Sequence, residues 1–338
     1  WNSRKVIDPI ESRFAMKLKV LYHNFCFDGA CSAAVFSTFY RRKFYPDVEI
    51  SYHGLTHRPG SLFEPGLFDD ADEFAIVDFK YNSDDRLTWW FDHHQSAFLS
   101  AEDEAHFNQD TRGRKYFDPN YKSCTKYIAD IAREKFDLDL PELTELIQWA
   151  DLIDGAQYES PENAINLKEP APQLALVIES NRDQSLLHHI IRLLQVKSLA
   201  ETAADERVQA VFAPLLARHN QAVEIIQSAG ECSDGVVYFD VSDHDIEGYN
   251  KFIAYCLFPK ARYSVGVSRG ATRSKISIGY NPWSGMERTH NLAKICERYG
   301  GGGHAVVGAI SLAPEDLEQA REIGKAVAHE LRTTNTLG

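Results

Sequence analysis

The sequence predicts a doubly wound, mostly parallel α/β domain, then a helical connector and a smaller α+β domain. Three observations carry this reading. Short apolar runs alternate with helix-period segments through the first half, as they do where crossover helices join parallel strands. From 162 to 228 the pattern is almost wholly helical, and after Gly230 β-branched and aromatic runs bounded by Gly and Pro return. A length of 338 residues also exceeds what one core usually fills, so two domains are expected.

Residues 1–15 lack hydrophobic periodicity and are expected to be a leader or a remnant of expression. Residues 17–22 read as the first strand, 29–40 as a helix and 73–78 as a buried strand. Helix-period segments follow at 124–135 and 141–149. In the last third, 235–239, 263–267 and 275–279 read as strands and 290–298 as a helix. A glycine run, a strand at 306–312 and a final helix over 314–331 complete the chain. The expected division is a catalytic domain over 16–190, a helical linker over 191–230 and a substrate-binding domain over 231–338.

A formal net charge of -13 argues against a sequence-independent grip on long duplex nucleic acid, which needs excess Lys and Arg over a broad surface. A small anion in a local pocket remains compatible with it. No apolar run approaches the roughly 20 residues that span a bilayer, so no membrane partner is expected. The six cysteines, Cys26, Cys31, Cys124, Cys232, Cys256 and Cys296, lack metal-knuckle or disulfide-framework spacing, which suits a reducing cytoplasm. Either a monomer or a homodimer fits this composition.

Four acidic or histidine-bearing sites follow apolar runs, where α/β sheets place ligand-binding groups. They are His23-Asn-Phe-Cys26-Phe-Asp28-Gly29, Asp78 after Ala75-Ile-Val, Asp92-His93-His94 after Trp89-Trp-Phe, and Asp151-Leu-Ile-Asp154 after Trp149. Alternate residues of an extended segment point the same way, so Cys26 and Asp28 can face one ion while Gly29 lets the chain turn. Hard carboxylates with imidazole suit Mn or Mg, with Fe or Zn also allowed, and two such ions roughly 4 Å apart can clamp a phosphate.

This ordered set, with Gly300-Gly-Gly-Gly-His304 far downstream, resembles the DHH phosphoesterase superfamily with its DHH-associated C-terminal domain, from Met16 onward. The resemblance implies that Asp78 bridges two metals, most simply two Mn. Asp28, His93 and Asp151 would complete one of them, and His23 with Cys26 would hold the other. His94 would contact phosphate or assist the leaving group, and a metal-activated water would be the nucleophile. Most members carry His, three residues, then Asp-x-Asp; here the first motif is His-x-x-Cys-x-Asp-Gly, which looks like a variant branch. A thiolate at Cys26 would favour Fe or Zn. Asp154, one helical turn beyond Asp151, could share the site.

Ser123 and Thr125 begin a helix and are candidates either to bind phosphate oxygens or simply to cap it. The four glycines read as a loop that is neither helix nor strand. Its amides at Gly301, Gly302 and Gly303 would approach an anion or a base, with His304 as a further donor. Arg269 and Arg273, in a turn between two strands, could reach phosphate bidentately. Trp283 could stack on a base, although a core role fits it better. Together these features suggest a phosphodiesterase acting on a small nucleotide or short oligonucleotide. An exopolyphosphatase or inorganic pyrophosphatase, or a non-catalytic nucleotide sensor, are the alternatives.

Overall fold

The computed structural model describes residues 16–57, 61–244, 246 and 248–333, so the expected leader lies outside the described residues. The chain forms two compact units. The first comprises residues up to 157 together with 170–209; the second comprises 158–169 and the residues from 210 onward. The short segment 158–169 thus belongs to the second unit although it lies inside the span expected to be catalytic. The later division falls within a helix, inside the expected linker.

In the first unit the elements are β1 (Lys17–His23), α1 (Phe27–Lys43), β2 (Glu49–Leu55), β3 (Glu73–Val77), β4 (Leu87–Asp92), α2 (Ala101–Gln109), β5 (Lys115–Phe117), α3 (Cys124–Phe136) and α4 (Thr144–Asp154). Next in sequence comes α5 (Pro161–Ile165), in the second unit. It is followed by α6 (Pro170–Ser180), α7 (Gln184–Leu193) and α8 (Leu199–Ala203) of the first, and by α9 (Glu206–Ala229), which passes between the two.

The first sheet has the order β2-β1-β3-β4-β5 with every pairing parallel, which bears out the doubly wound expectation. The strand order reverses beside β1, and at such a switch point the loops leaving β1 and β3 diverge and leave a crevice. Tyr22 pairs with Val77, so His23 and Asp78 emerge side by side at the carboxyl edge. Burial on both faces explains the near-continuous apolar strands. Trp89 and Phe91 turn toward Phe36 of α1, with ring centroids 5.8 and 5.7 Å away, whereas Trp90 meets Tyr81 and Phe107 on the opposite face. β2 was not among the expected strands. Its Ile50, Tyr52 and Leu55 are buried, but polar residues and a glycine interrupt them.

Fourteen consecutive residues of α1, Phe27 to Tyr40, are buried. Gly29 is required there by close approach: a Cβ would overlap the His23 carbonyl and side chain. The helix therefore packs its first turn directly on the end of β1.

The second unit adds β6 (Glu231–Ser233), β7 (Val236–Asp240), α10 (Ile253–Leu257), β8 (Tyr263–Arg269), β9 (Ser274–Tyr280), α11 (Leu292–Glu297), β10 (Gly302–His304), β11 (Val307–Leu312) and α12 (Leu317–Thr333). Its sheet, β10-β11-β9-β8-β7-β6, is antiparallel except where β7 pairs with β8. Val265, Val267, Ile276, Ile278 and Ile310 pack with Ala320, Val327 and Leu331 of α12, giving the α+β domain expected. Among the described residues no helix is long and apolar enough to cross a membrane.

Substituting Gly29→Ala should destabilise the chain by about 1–3 kcal/mol, the usual cost of overpacking a closed interior. Urea denaturation checks this, and an unchanged midpoint would contradict the packing.

Candidate metal centre

Among the described residues two sets of donor atoms converge closely enough to hold an ion: His23, Asp78 and His94, and Asp28, Asp78 and His93. Asp78 is common to both. Its backbone is left-handed, with φ +58°, and its N–H donates to the Phe91 carbonyl at 2.9 Å. That turn costs about 1–3 kcal/mol for a residue other than glycine and re-aims the carboxylate across the strand ends. Phe25, between His23 and Cys26, is likewise left-handed at φ +56°, and the Arg182 guanidinium lies 4.1 Å over its ring.

The histidines are set by their outer nitrogens. His93 Nδ1 lies 3.1 Å from the Tyr121 carbonyl, and a carbonyl can only accept, so Nδ1 carries the proton and Nε2 faces the acids. Nε2 is 3.3 Å from Asp78 Oδ1, 3.5 Å from Asp154 Oδ2 and 3.7 Å from Asp28 Oδ2. His94 Nδ1 donates to Asp92 Oδ1 at 2.7 Å, which fixes its ring in the same way. His23 Nδ1 is 3.3 Å from Asp78 Oδ2.

Asp78 Oδ1 and His93 Nε2 are buried yet make no well-aligned hydrogen bond. Buried polar atoms are nearly always paired, so two such atoms 3.3 Å apart without a hydrogen bond fit a cation between them. The donor set of carboxylate oxygens and imidazole nitrogens suits a divalent ion such as manganese.

The electrostatics agree. Burial opposes a charge on Asp78, but His23 and His93 outweigh it and hold its carboxyl well below the usual carboxylate range. Burial, then the charges of Asp78 and Asp154, pushes Asp28 well up. Asp154 is raised to about 6 by burial and by Asp78. Burial lowers His93, but Asp78, Asp28 and Asp154 more than reverse this and bring it to about 10. Without a metal, a proton therefore sits among these acids.

The expected site residues fall as follows. His23, Asp28, Asp78, His93 and His94 come together, with His94 inside a donor set and not outside it as the resemblance implied. Of the two acids on α4, Asp154 lies beside His93, whereas Asp151 accepts from the Ser123 hydroxyl at 3.3 Å. Cys26 stands at the N-cap position of α1 without a side-chain cap bond and belongs to neither convergent set; burial and then Asp78, Asp28 and Asp154 push its thiol well up.

The start of α3 is occupied from within the chain. The Cys124 and Thr125 amides donate to the two oxygens of Asp28 at 2.7 and 3.1 Å, and the Lys126 amide donates to Ser123 Oγ. Those amides hold the Asp28 carboxylate in place of a phosphate, and Ser123 Oγ caps the helix. In the second unit Gly302, Gly303 and His304 form strand β10, so the expectation that the glycines could not be strand is corrected. Glycine is needed because β10 lies too close to β11: a Cβ on Gly301 would overlap the Ala309 carbonyl, and one on Gly303 the Val307 carbonyl. His304 is exposed.

Arg269 and Arg273 are exposed at the β8–β9 turn, where Gly270 N–H donates to the Arg273 carbonyl. Trp283 donates from its indole to the Tyr158 carbonyl and packs against Phe252, a core role. A cavity of about 310 Å³ opens on the same sheet. Phe239, Tyr249 and Tyr255 line it with Lys251, Lys275 and the β10 glycines Gly302 and Gly303. Its tyrosines and lysines carry no sequence motif and were not among the expected site residues.

No family model matches the sequence, and no curated protein matches it significantly. Solved structures do. The pGpG-specific phosphodiesterase PggH from Vibrio cholerae aligns with a TM-score of 0.66 at 18% identity, over 94% of this chain and 98% of that one. RecJ from Thermus thermophilus in complex with Mn2+ aligns with a TM-score of 0.56 at 12% identity, over 93% of this chain but 52% of its own. An exonuclease RecJ bound to manganese aligns with a TM-score of 0.50 at 12% identity, covering 94% of this chain and 91% of that chain. The fold is that of a DHH phosphoesterase.

Because a divalent cation held by these donors must displace the proton on His93, its binding at pH 7 should release protons. Calorimetric titration in buffers of different ionisation enthalpy measures the release, and a buffer-independent heat would contradict it. The raised His93 pKa also sets a pH window for the metal-free protein. Its contribution to stability is complete below about 6.5, the ordinary histidine value, and is lost as pH rises toward about 10. Thermal melts in chelator across that range should show the decline.

Proposed function

We propose that the chain is a metal-dependent phosphodiesterase that hydrolyses nucleotide phosphoesters, taking dinucleotides or short oligonucleotides to nucleoside monophosphates. The observation that carries this reading is the carboxylate of Asp78 shared between two convergent donor sets, with an unbonded buried oxygen. Two manganese ions are the cofactor we assign. His23, Asp78 and His94 would hold one, and Asp28, Asp78, His93 and Asp154 the other. Bound there, divalent ions neutralise phosphate charge and lower the pKa of a coordinated water.

The chain's own residues do the rest. Asp92 keeps the His94 proton on Nδ1, and the Tyr121 carbonyl does the same for His93, whose Nε2 is left to face the acids. The Cys124 and Thr125 amides fix the Asp28 carboxylate, so its geometry does not depend on substrate. This preorganisation leaves little to be rearranged when a phosphoester enters.

The cavity of the second unit supports a nucleotide over a bare phosphate chain. Its aromatic walls suit a base or sugar, and Lys251 and Lys275 suit one or two phosphates; a polyphosphate would call for more cations. His304 and the β10 glycines lie along the same strand edge and are assigned to substrate binding. Arg269 and Arg273 remain candidates for a terminal phosphate. An acidic chain suits a short substrate and not long duplex nucleic acid. The six free cysteines support a reducing, cytoplasmic setting.

Asp78→Ala should abolish hydrolysis of pGpG in manganese, a loss of at least about 4 kcal/mol of transition-state stabilisation, because both donor sets lose a member. His304→Ala should mainly raise KM. Assaying pGpG and tripolyphosphate side by side tests the reading: guanosine monophosphate with little inorganic phosphate supports it. Phosphate from tripolyphosphate alone would replace it with a polyphosphatase, and near-normal turnover by Asp78→Ala would remove the shared carboxylate from the chemistry.

A further inference from the structure

This inference concerns His57 and rests on the phosphodiesterase reading. β2 ends at Leu55, paired with His23 at the end of β1, so the chain two residues later emerges at the sheet edge that carries the metal donors. There the His57 imidazole stacks on Phe79, with centroids 4.7 Å apart and planes 28° from parallel, and meets the His23 ring edge-on at 5.2 Å. Phe79 directly follows Asp78 and is itself buried. Two groups locked to the metal centre therefore fix the His57 ring.

The residue is nevertheless exposed, and among the described residues it makes no hydrogen bond. A ring kept only for packing on Phe79 would not need nitrogens. Held flat beside the His23, Asp78 and His94 set and open to solvent, an imidazole is placed to donate to an anion that reaches those donors. We propose that His57 is a substrate-contacting residue whose ring N–H donates to a non-bridging oxygen of the scissile phosphate. The position carries no motif signal, because only the strand register brings it to the site.

The test uses the full chain with saturating manganese and pGpG. His57→Phe keeps a ring to stack on Phe79 but removes the donor, and His57→Gln keeps a donor. A hydrogen bond to a charged group is worth roughly ten- to a hundredfold. His57→Phe should therefore raise KM about tenfold or more with kcat within a few-fold, and His57→Gln should recover most of that loss. Manganese affinity and melting temperature should match the parent in both variants. An unchanged KM in His57→Phe would overturn the inference. A parallel loss of manganese affinity would also overturn it, since His57 would then act through His23. Should the parent chain hydrolyse no pGpG, the phosphodiesterase reading fails by itself, and manganese-dependent binding of inorganic phosphate decides the role of His57. Weaker phosphate binding by His57→Phe upholds the contact, and equal or absent binding ends it.

Discussion

The structure of the first unit is organised around one electrostatic problem, the burial of several carboxylates and two histidines at the end of one sheet. Taking a lone carboxylate out of water costs on the order of several kcal/mol even after relaxation. Asp28 and Asp78 are each 1% exposed, with Asp154 close by, and protein hydrogen bonds alone do not compensate them. Asp28 has two backbone amides, but Asp78 keeps an oxygen without a hydrogen bond. A divalent cation resolves the excess negative charge, and in its absence a proton on His93 does so in part. The same surplus of buried negative charge is what a divalent cation at these donors would neutralise.

The fold brings these groups together by topology. Reversal of strand order at β1 and β3 places His23 beside Asp78, and the next strand brings Asp92, His93 and His94 to the same edge. Helix α3 contributes its first amides to Asp28, and the last turn of α4 contributes Asp154. Close contact between Gly29 and the His23 carbonyl locks α1 to β1, while left-handed turns at Phe25 and Asp78 aim the side chains. Strain and close packing thus concentrate where donor geometry must be exact to a fraction of an ångström.

Much of this was legible in the sequence because apolar runs ending in Asp or His mark strand ends, and three of them point to His23, Asp28, Asp78, His93 and His94. Other features depend on geometry that spacing does not encode. Asp151 and Asp154 lie on one helix a turn apart, and only the orientation of α4 decides which faces His93. The amides of α3 looked free for phosphate because nothing local shows that Asp28, 96 residues away, accepts from Cys124. The glycine run read as a loop because glycine is a poor strand former, yet the close approach of β11 demands it. His57 is invisible to motif reading, since its place follows from the pairing of β2 with β1.

The metal donors are concentrated in one unit, and the other, taken by itself, offers an aromatic and cationic cavity beside a glycine-rich strand. The central claim is that one carboxylate, Asp78, joins two ions. Electron paramagnetic resonance of the manganese-loaded chain, read together with metal stoichiometry, tests this most directly. The account predicts two manganese ions per chain with the signature of an exchange-coupled pair, and loss of that coupling in Asp78→Asn. A single ion per chain, or two ions that remain uncoupled in the parent protein, would contradict it.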